Sequence, residues 1–156
     1  MTTATVEQQP STAVQVLSII VIVAGIVLMV AGIVTWFSVS SQLADENITV
    51  SADAERFAGQ PVDSPLTAYE EAAVINKHAL EATGGLTYAE LDRDDPVRQT
   101  AMTASFLRAS LFTSVVAFGV ALMAAGVGLV LILVGSALLV LNGSNRFVVV
   151  VDAEEA

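Results

Sequence analysis

The stretch VLSIIVIVAGIVLMVAGIVTWF, residues 16–37, decides the fold, because it contains no charged residue. A second uncharged stretch, ASLFTSVVAFGVALMAAGVGLVLILVGSALLVL, occupies 109–141. About 20 apolar residues of α-helix are enough to cross the hydrocarbon core of a bilayer, so each stretch is long enough to span one. The two stretches therefore predict an integral membrane protein with two spans.

The predicted fold is an all-α membrane protein, a two-helix transmembrane hairpin with a small, mainly helical extramembrane loop domain. Its predicted parts are a polar tail (1–15), a first membrane helix (16–39), an acidic loop domain (40–106), a second membrane helix (107–141) and an acidic tail (142–156). Proline is favoured at the first position of a helix, so Pro96 predicts that the second helix begins near residue 96 and projects into the loop domain.

Capping signals predict two helices inside the loop. Ser51 can cap a short helix over 52–57, because a serine side chain accepts from free N–H groups at a helix start. Ser64-Pro65 predicts the start of a longer helix. That helix is expected to end at Ala82, ahead of Gly84-Gly85, since glycine readily adopts the left-handed conformation that ends a helix.

The loop domain is strongly acidic. It carries twelve acidic and four basic residues, a net charge of −8, within a chain of net charge −10. Such a surface repels nucleic acid and anionic headgroups and attracts cations or a basic partner surface. We therefore expect membrane lipid and other membrane protein subunits, or further copies of the chain, as partners, and no nucleic acid.

The orientation has to be inferred from weak charge signals. Arg98 and Arg108 on the loop side favour a cytoplasmic loop by the positive-inside rule, but loops longer than about 60 residues translocate largely regardless of charge. The expected location is the inner (plasma) membrane, with the loop outside the cytoplasm and both termini inside it. Beyond the second span, the apolar run 147–151 is too short to cross and could form a strand, rest on the membrane or fit a partner groove.

Small residues recur along both predicted spans at spacings of four and seven. Such residues let helices approach closely in lipid, where the hydrophobic effect does not drive helix association. Two interpretations remain open: the small residues pack one span against the other, or they dock another protein. The candidate packing residues are Ala24, Gly25, Ala31, Gly32, Gly119, Ala121, Ala124, Ala125, Gly126 and Gly128.

Residues with catalytic chemistry are scarce. The chain has no cysteine and a single histidine, His78, and its two spans contain no ionisable residue. Transporters and proton relays normally place such residues within the membrane. The hydroxyls of Thr113, Ser114 and Ser136 are expected to bond to their own helix rather than to line a channel. We predict no catalytic, cofactor-binding or metal-ligating residue.

Four segments resemble a family of small actinobacterial two-span membrane proteins that are often described as aromatic ring-opening dioxygenases. The segments are Leu43–Val50, Asn76–Ala79, Thr87–Asp92 and Ser105–Phe112. The resemblance implies an actinobacterial inner membrane. Ring opening of the extradiol type requires a ferrous ion held by two histidines and a carboxylate, which one histidine cannot supply.

Three functions follow as hypotheses. The first is a non-catalytic accessory, assembly or scaffold component of a larger membrane complex. The second is a subunit of a homo-oligomeric channel, which would need several copies to surround a pore. The third is the ring-opening dioxygenase. The scarcity of catalytic residues and the small residues that recur along both spans favour the first hypothesis.

Overall fold

The computed structural model describes Pro10–Ser144 and two short strands near the chain ends. Apart from those strands, the described residues contain three helices, α1 (Thr12–Asp45), α2 (Pro65–Ala82) and α3 (Arg98–Ser144), and the segments that connect them. The strands β1 (Ala4–Thr5) and β2 (Val150–Val151) pair antiparallel. Two residues of the apolar run 147–151 thus form β2, whereas 147–149 lie outside the described residues.

The helices α1 and α3 are both long and apolar enough to cross a membrane. At 1.5 Å per residue, the 34 residues of α1 extend about 51 Å and the 47 residues of α3 about 70 Å. Both lengths exceed the roughly 30 Å of a hydrocarbon core, so part of each helix would lie outside it.

The chain divides into two compact units. The first comprises Met1–Ala31 and Ala124–Ala156, and the second is Gly32–Met123. In the first unit, α1 and α3 run antiparallel, because Gly25 approaches Gly128 while Ser18, earlier in the chain, approaches Gly135.

The helix α2 begins and ends where the capping signals predict. The Ser64 side chain accepts from the N–H of Thr67 at 3.3 Å, and the Thr67 hydroxyl accepts from the N–H of Ser64 at 3.2 Å. Two left-handed glycines, Gly84 and Gly85, follow the last turn. The N–H of Gly85 donates to Leu80 O at 2.7 Å and so satisfies a free carbonyl of that turn.

The prediction of a short helix over 52–57 is wrong, because this segment forms turns and bends. Val50 N donates to Gln60 O and Val62 N to Ile48 O, both at 2.9 Å, so the chain doubles back on itself. Within the doubled segment, Phe57 has a φ of 57°, which a right-handed helix does not allow. The pairing also buries Val50 and Val62 completely, which a local six-residue helix would not do.

The core of the second unit joins α1, α2, α3 and the turn segment. Its buried members are Leu43, Val50, Val62, Ala68, Ala72, Leu111 and Phe118. The Trp36 ring packs edge-on against Phe118 at a centroid distance of 4.7 Å. Glu71 on α2 is also buried, and its carboxylate accepts from the N–H of Ser51 at 2.7 Å and from the hydroxyl of Ser51 at 3.1 Å. The carboxylate therefore fastens the turn segment to α2.

Candidate functional site

A close helix contact in the first unit is made by two glycines. A Cβ atom added to Gly25 would lie 2.6 Å from Gly128 O and 2.9 Å from Ile132 N. A Cβ atom added to Gly128 would lie 2.5 Å from Gly25 O. Backbone atoms cannot yield as a flexible side chain does, so α1 and α3 can be this close only because both positions lack a side chain.

The ten small residues proposed for helix packing have three kinds of surroundings. Gly25, Gly32, Ala121 and Gly128 are buried; Ala124 and Ala125 are half-buried; Ala24, Ala31, Gly119 and Gly126 are exposed. A Cβ atom added to Gly119 or to Gly126 would meet nothing within 4 Å. Gly25 and Gly128 thus serve the contact between α1 and α3, whereas Gly119 and Gly126 face open space.

Two further packing residues of the first unit, Ser18 and Gly135, were not predicted. A Cβ atom added to Gly135 would lie 2.9 Å from Ser18 O. The Ser18 hydroxyl donates to Val14 O at 2.7 Å, which satisfies its polar group inside the contact. The sequence does carry a signal for both residues, since Ser18 lies seven residues before Gly25 and Gly135 seven residues after Gly128.

The hydroxyl groups of α3 bond to their own helix, as predicted. Thr113 donates to Ala109 O at 2.7 Å, and Ser136 donates to Ile132 O at 2.7 Å. The Ser114 hydroxyl donates to Ser110 O at 3.2 Å. Hydroxyls bonded in this way are compatible with a lipid-facing surface.

The second unit has an open groove between α2 and the first turns of α3, with a volume of about 510 Å³. Its lining is mainly apolar, and the polar groups in it come from His78, Gln99, Thr100 and Thr103. The Thr103 hydroxyl donates to Gln99 O at 3.1 Å within α3. A shallow, mostly apolar groove with few free polar groups is better suited to an apolar contact than to catalysis.

His78 belongs to a charged cluster at the surface. Its Nε2 lies 2.8 Å from Asp53 Oδ2, and Lys77 Nζ lies 3.2 Å from the same oxygen. The hydrogen bond from His78, and then that from Lys77, lowers the pKa of Asp53 below its ordinary value of 3.8. All three side chains are about half exposed, so the cluster ties the turn segment to α2 as a solvated ion pair.

A second exposed carboxylate caps the turn after α2. Glu90 accepts from the N–H of Thr87 at 2.8 Å and from its hydroxyl at 2.7 Å, and these bonds lower the pKa of Glu90. The guanidinium of Arg98 stacks on the Tyr88 ring at 4.1 Å and donates to Tyr88 O at 3.1 Å. These contacts fasten the turn to the start of α3.

Among the residues that the structure describes, no group of three or more His, Cys, Asp or Glu is arranged to hold a metal ion. Comparison of the chain with protein-family models, curated proteins and solved structures finds no match.

Proposed function

We propose that the chain is a non-catalytic integral membrane protein that serves as an accessory, assembly or scaffold component of a larger membrane complex. In this proposal α1 and α3 cross the inner membrane as a hairpin. The loop domain lies outside the cytoplasm and both termini lie inside it. The glycine contact between Gly25 and Gly128 supports the hairpin, since it lets the two helices pack without help from the hydrophobic effect.

The observation that carries the proposal is the open surface at Gly126. At 100° per residue, Gly126 lies about opposite the contact made by Gly128 and Gly135 in the first unit. Glycine within a helix costs about 1 kcal/mol relative to alanine, and here no neighbouring atom of the chain requires it. A helix of another protein that approaches closely at Gly126 would account for the glycine.

The polar groups of the second unit support a non-catalytic role. Two groups that could carry chemistry are engaged in contacts that hold the fold, His78 with Asp53 and Glu71 with Ser51. A histidine that acts as a general base also needs the group from which it takes a proton within hydrogen-bonding reach. The one described partner of the His78 side chain is the carboxylate of Asp53.

The proposal is tested by affinity purification of the tagged chain in a mild detergent, with mass spectrometry of the copurifying proteins. We expect a partner complex of fixed stoichiometry with the unmodified chain, and its loss in Gly126→Leu, which fills the open surface. Ala24→Leu is the matched control, because Ala24 is an exposed small residue on α1. The control should retain the complex.

Two outcomes would contradict this proposal in different ways. The chain alone, as a discrete oligomer, would contradict the accessory role and lead to a conductance assay in planar bilayers. A complex that survives Gly126→Leu would leave the accessory role in place and show that the partner binds elsewhere.

A further inference from the structure

Two large apolar side chains are exposed at the start of α2. Leu66 is 65% exposed and Tyr69 is 56% exposed, although both belong to a loop domain with a net charge of −8. The face of α2 that packs into the second unit is a different one, and it consists of Thr67, Ala68, Glu71, Ala72 and Val74. The unit itself therefore leaves Leu66 and Tyr69 uncovered.

These side chains are held next to the uncharged parts of α1 and α3. The hydroxyl of Ser40 on α1 donates to Asp63 O at 2.8 Å, just before α2 begins. The Tyr69 ring packs edge-on against Phe112 of α3 at a centroid distance of 5.8 Å. One turn along α1 from Ser40 lies Phe37, which is 69% exposed. We refer to the exposed side chains of Leu66, Tyr69, Phe112 and Phe37 as the apolar rim of the second unit.

The two acidic side chains that follow Tyr69 bond to the turn segment. The Glu70 carboxylate accepts from the N–H of Arg56 at 3.3 Å, and the Glu71 carboxylate is buried against Ser51. The first turn of α2 contains no acidic residue. Tyrosine, with an apolar ring and a polar hydroxyl, is enriched where a membrane meets water.

We propose that the rim rests in the interface of the bilayer, with Leu66 and Tyr69 inserted at the boundary between lipid headgroups and acyl chains. The first turns of α2 then hold the loop domain against the membrane surface. The occupant of the rim is bilayer lipid, because Phe37 and Phe112 belong to the uncharged runs 16–37 and 109–141. The Arg108 guanidinium, 5.9 Å from the Phe112 ring, then lies at the level of the headgroups. This inference depends on the hairpin that we propose above.

The chain has no cysteine, so a single spin label can be placed without a background. Leu66→Cys carries the test label, Phe37→Cys is the reference in the membrane, and Leu86→Cys is the reference in water. Leu86 is also exposed, at 44%, but lies in the turn after α2. The purified chain is placed in vesicles of phosphatidylcholine and phosphatidylglycerol. The accessibility of each label to oxygen and to a water-soluble nickel chelate is then measured by power saturation.

We expect the label at Leu66 to favour oxygen over the nickel chelate severalfold, as at Phe37, and the label at Leu86 to show the reverse. A label at Leu66 that matches Leu86 would overturn the inference alone, provided that Phe37 favours oxygen. A label at Phe37 that favours the nickel chelate would overturn the hairpin placement itself. A label at Leu66 shielded from both reagents would show that a second copy, rather than lipid, covers the rim. Since all three side chains are exposed, their replacement leaves the core intact, and circular dichroism checks the helix content.

Discussion

Two glycines of the first unit show how the surroundings of a residue decide its role. Gly25 is within van der Waals distance of the α3 backbone, whereas Gly126 faces open space. The sequence around the two glycines is alike, since each follows an alanine within an uncharged run. The two glycines differ because Gly25 lies on the side of α1 that faces α3, whereas Gly126 lies on the side of α3 that faces away from α1.

Gly25→Ala is expected to destabilise the helix contact, because its Cβ would overlap the backbone at Gly128 and Ile132. Overpacking of this kind costs about 1–3 kcal/mol. Gly126→Ala, the matched control, should be neutral or more stable by up to about 1 kcal/mol, since alanine is the better helix former. Unfolding of the reconstituted chain by sodium dodecyl sulfate measures both variants. Equal stability of the two would contradict the glycine contact.

The hydrogen bonds to Asp53 give the stability of the fold a dependence on pH. The hydrogen bonds from His78 and Lys77 lower the pKa of Asp53, so its carboxylate stabilises the folded chain above the unfolded value of 3.8. That contribution is lost as the pH falls through the lowered pKa. We expect Asp53→Ala to reduce the thermal midpoint at neutral pH, and the difference from the unmodified chain to vanish at more acidic pH. Asp94→Ala, at an exposed acid, is the control and should show no such convergence.

Among the elements of the loop domain, α2 was predictable and the turn segment before it was not. The bounds of α2 depend on contacts within a few residues, namely the cap at Ser64 and the glycines after Thr83. The turn segment depends instead on the pairing of Val50 with Gln60 and on a carboxylate of α2 that binds Ser51. Capping signals report only local contacts, so they predicted a helix over 52–57 that these longer-range contacts exclude.

The same limit applies to the candidate site. Spacing identified Gly25 through its repeat of seven with Gly32, and Gly128 through its spacing of four from Ala124. It did not show which of them meet each other, since that depends on the register between α1 and α3. Only the structure separates the closed contact at Gly128 from the open surface at Gly126.

The cap of α2 is expected to contribute measurably to the stability of the second unit. Ser64→Ala removes the oxygen that accepts from Thr67 N, and loss of such a cap costs about 1 kcal/mol. Ser64→Asp should restore most of the stability, because aspartate is an equally good cap. The unfolding midpoint in detergent measures both. An alanine variant as stable as the unmodified chain would show that packing alone sets the start of α2.

At the scale of the whole molecule, the length of the uncharged run of α1 suits a bilayer. The 22 residues of 16–37 extend about 33 Å as a helix. This length is close to the approximate thickness of a hydrocarbon core. At the far end of the first unit, Asn142 bonds to both backbone groups of Ser11, at 3.0 Å and 3.1 Å. That pair of bonds satisfies free backbone groups near the end of the helix pair, where polar contacts to water would begin.

Because the chain has no cysteine, single introduced thiols can also test the orientation of the hairpin. Leu86→Cys places a thiol on the loop domain, and Ser11→Cys places one at the other end of α1, where the side chain is exposed. We expect a membrane-impermeant maleimide to label Leu86→Cys in intact cells and to label Ser11→Cys only after the membrane is opened. The reverse pattern would place the loop in the cytoplasm, where Arg98 and Arg108 would then obey the positive-inside rule. Labelling of both in intact cells would contradict a hairpin of fixed orientation, because the two positions lie beyond opposite ends of the uncharged run of α1.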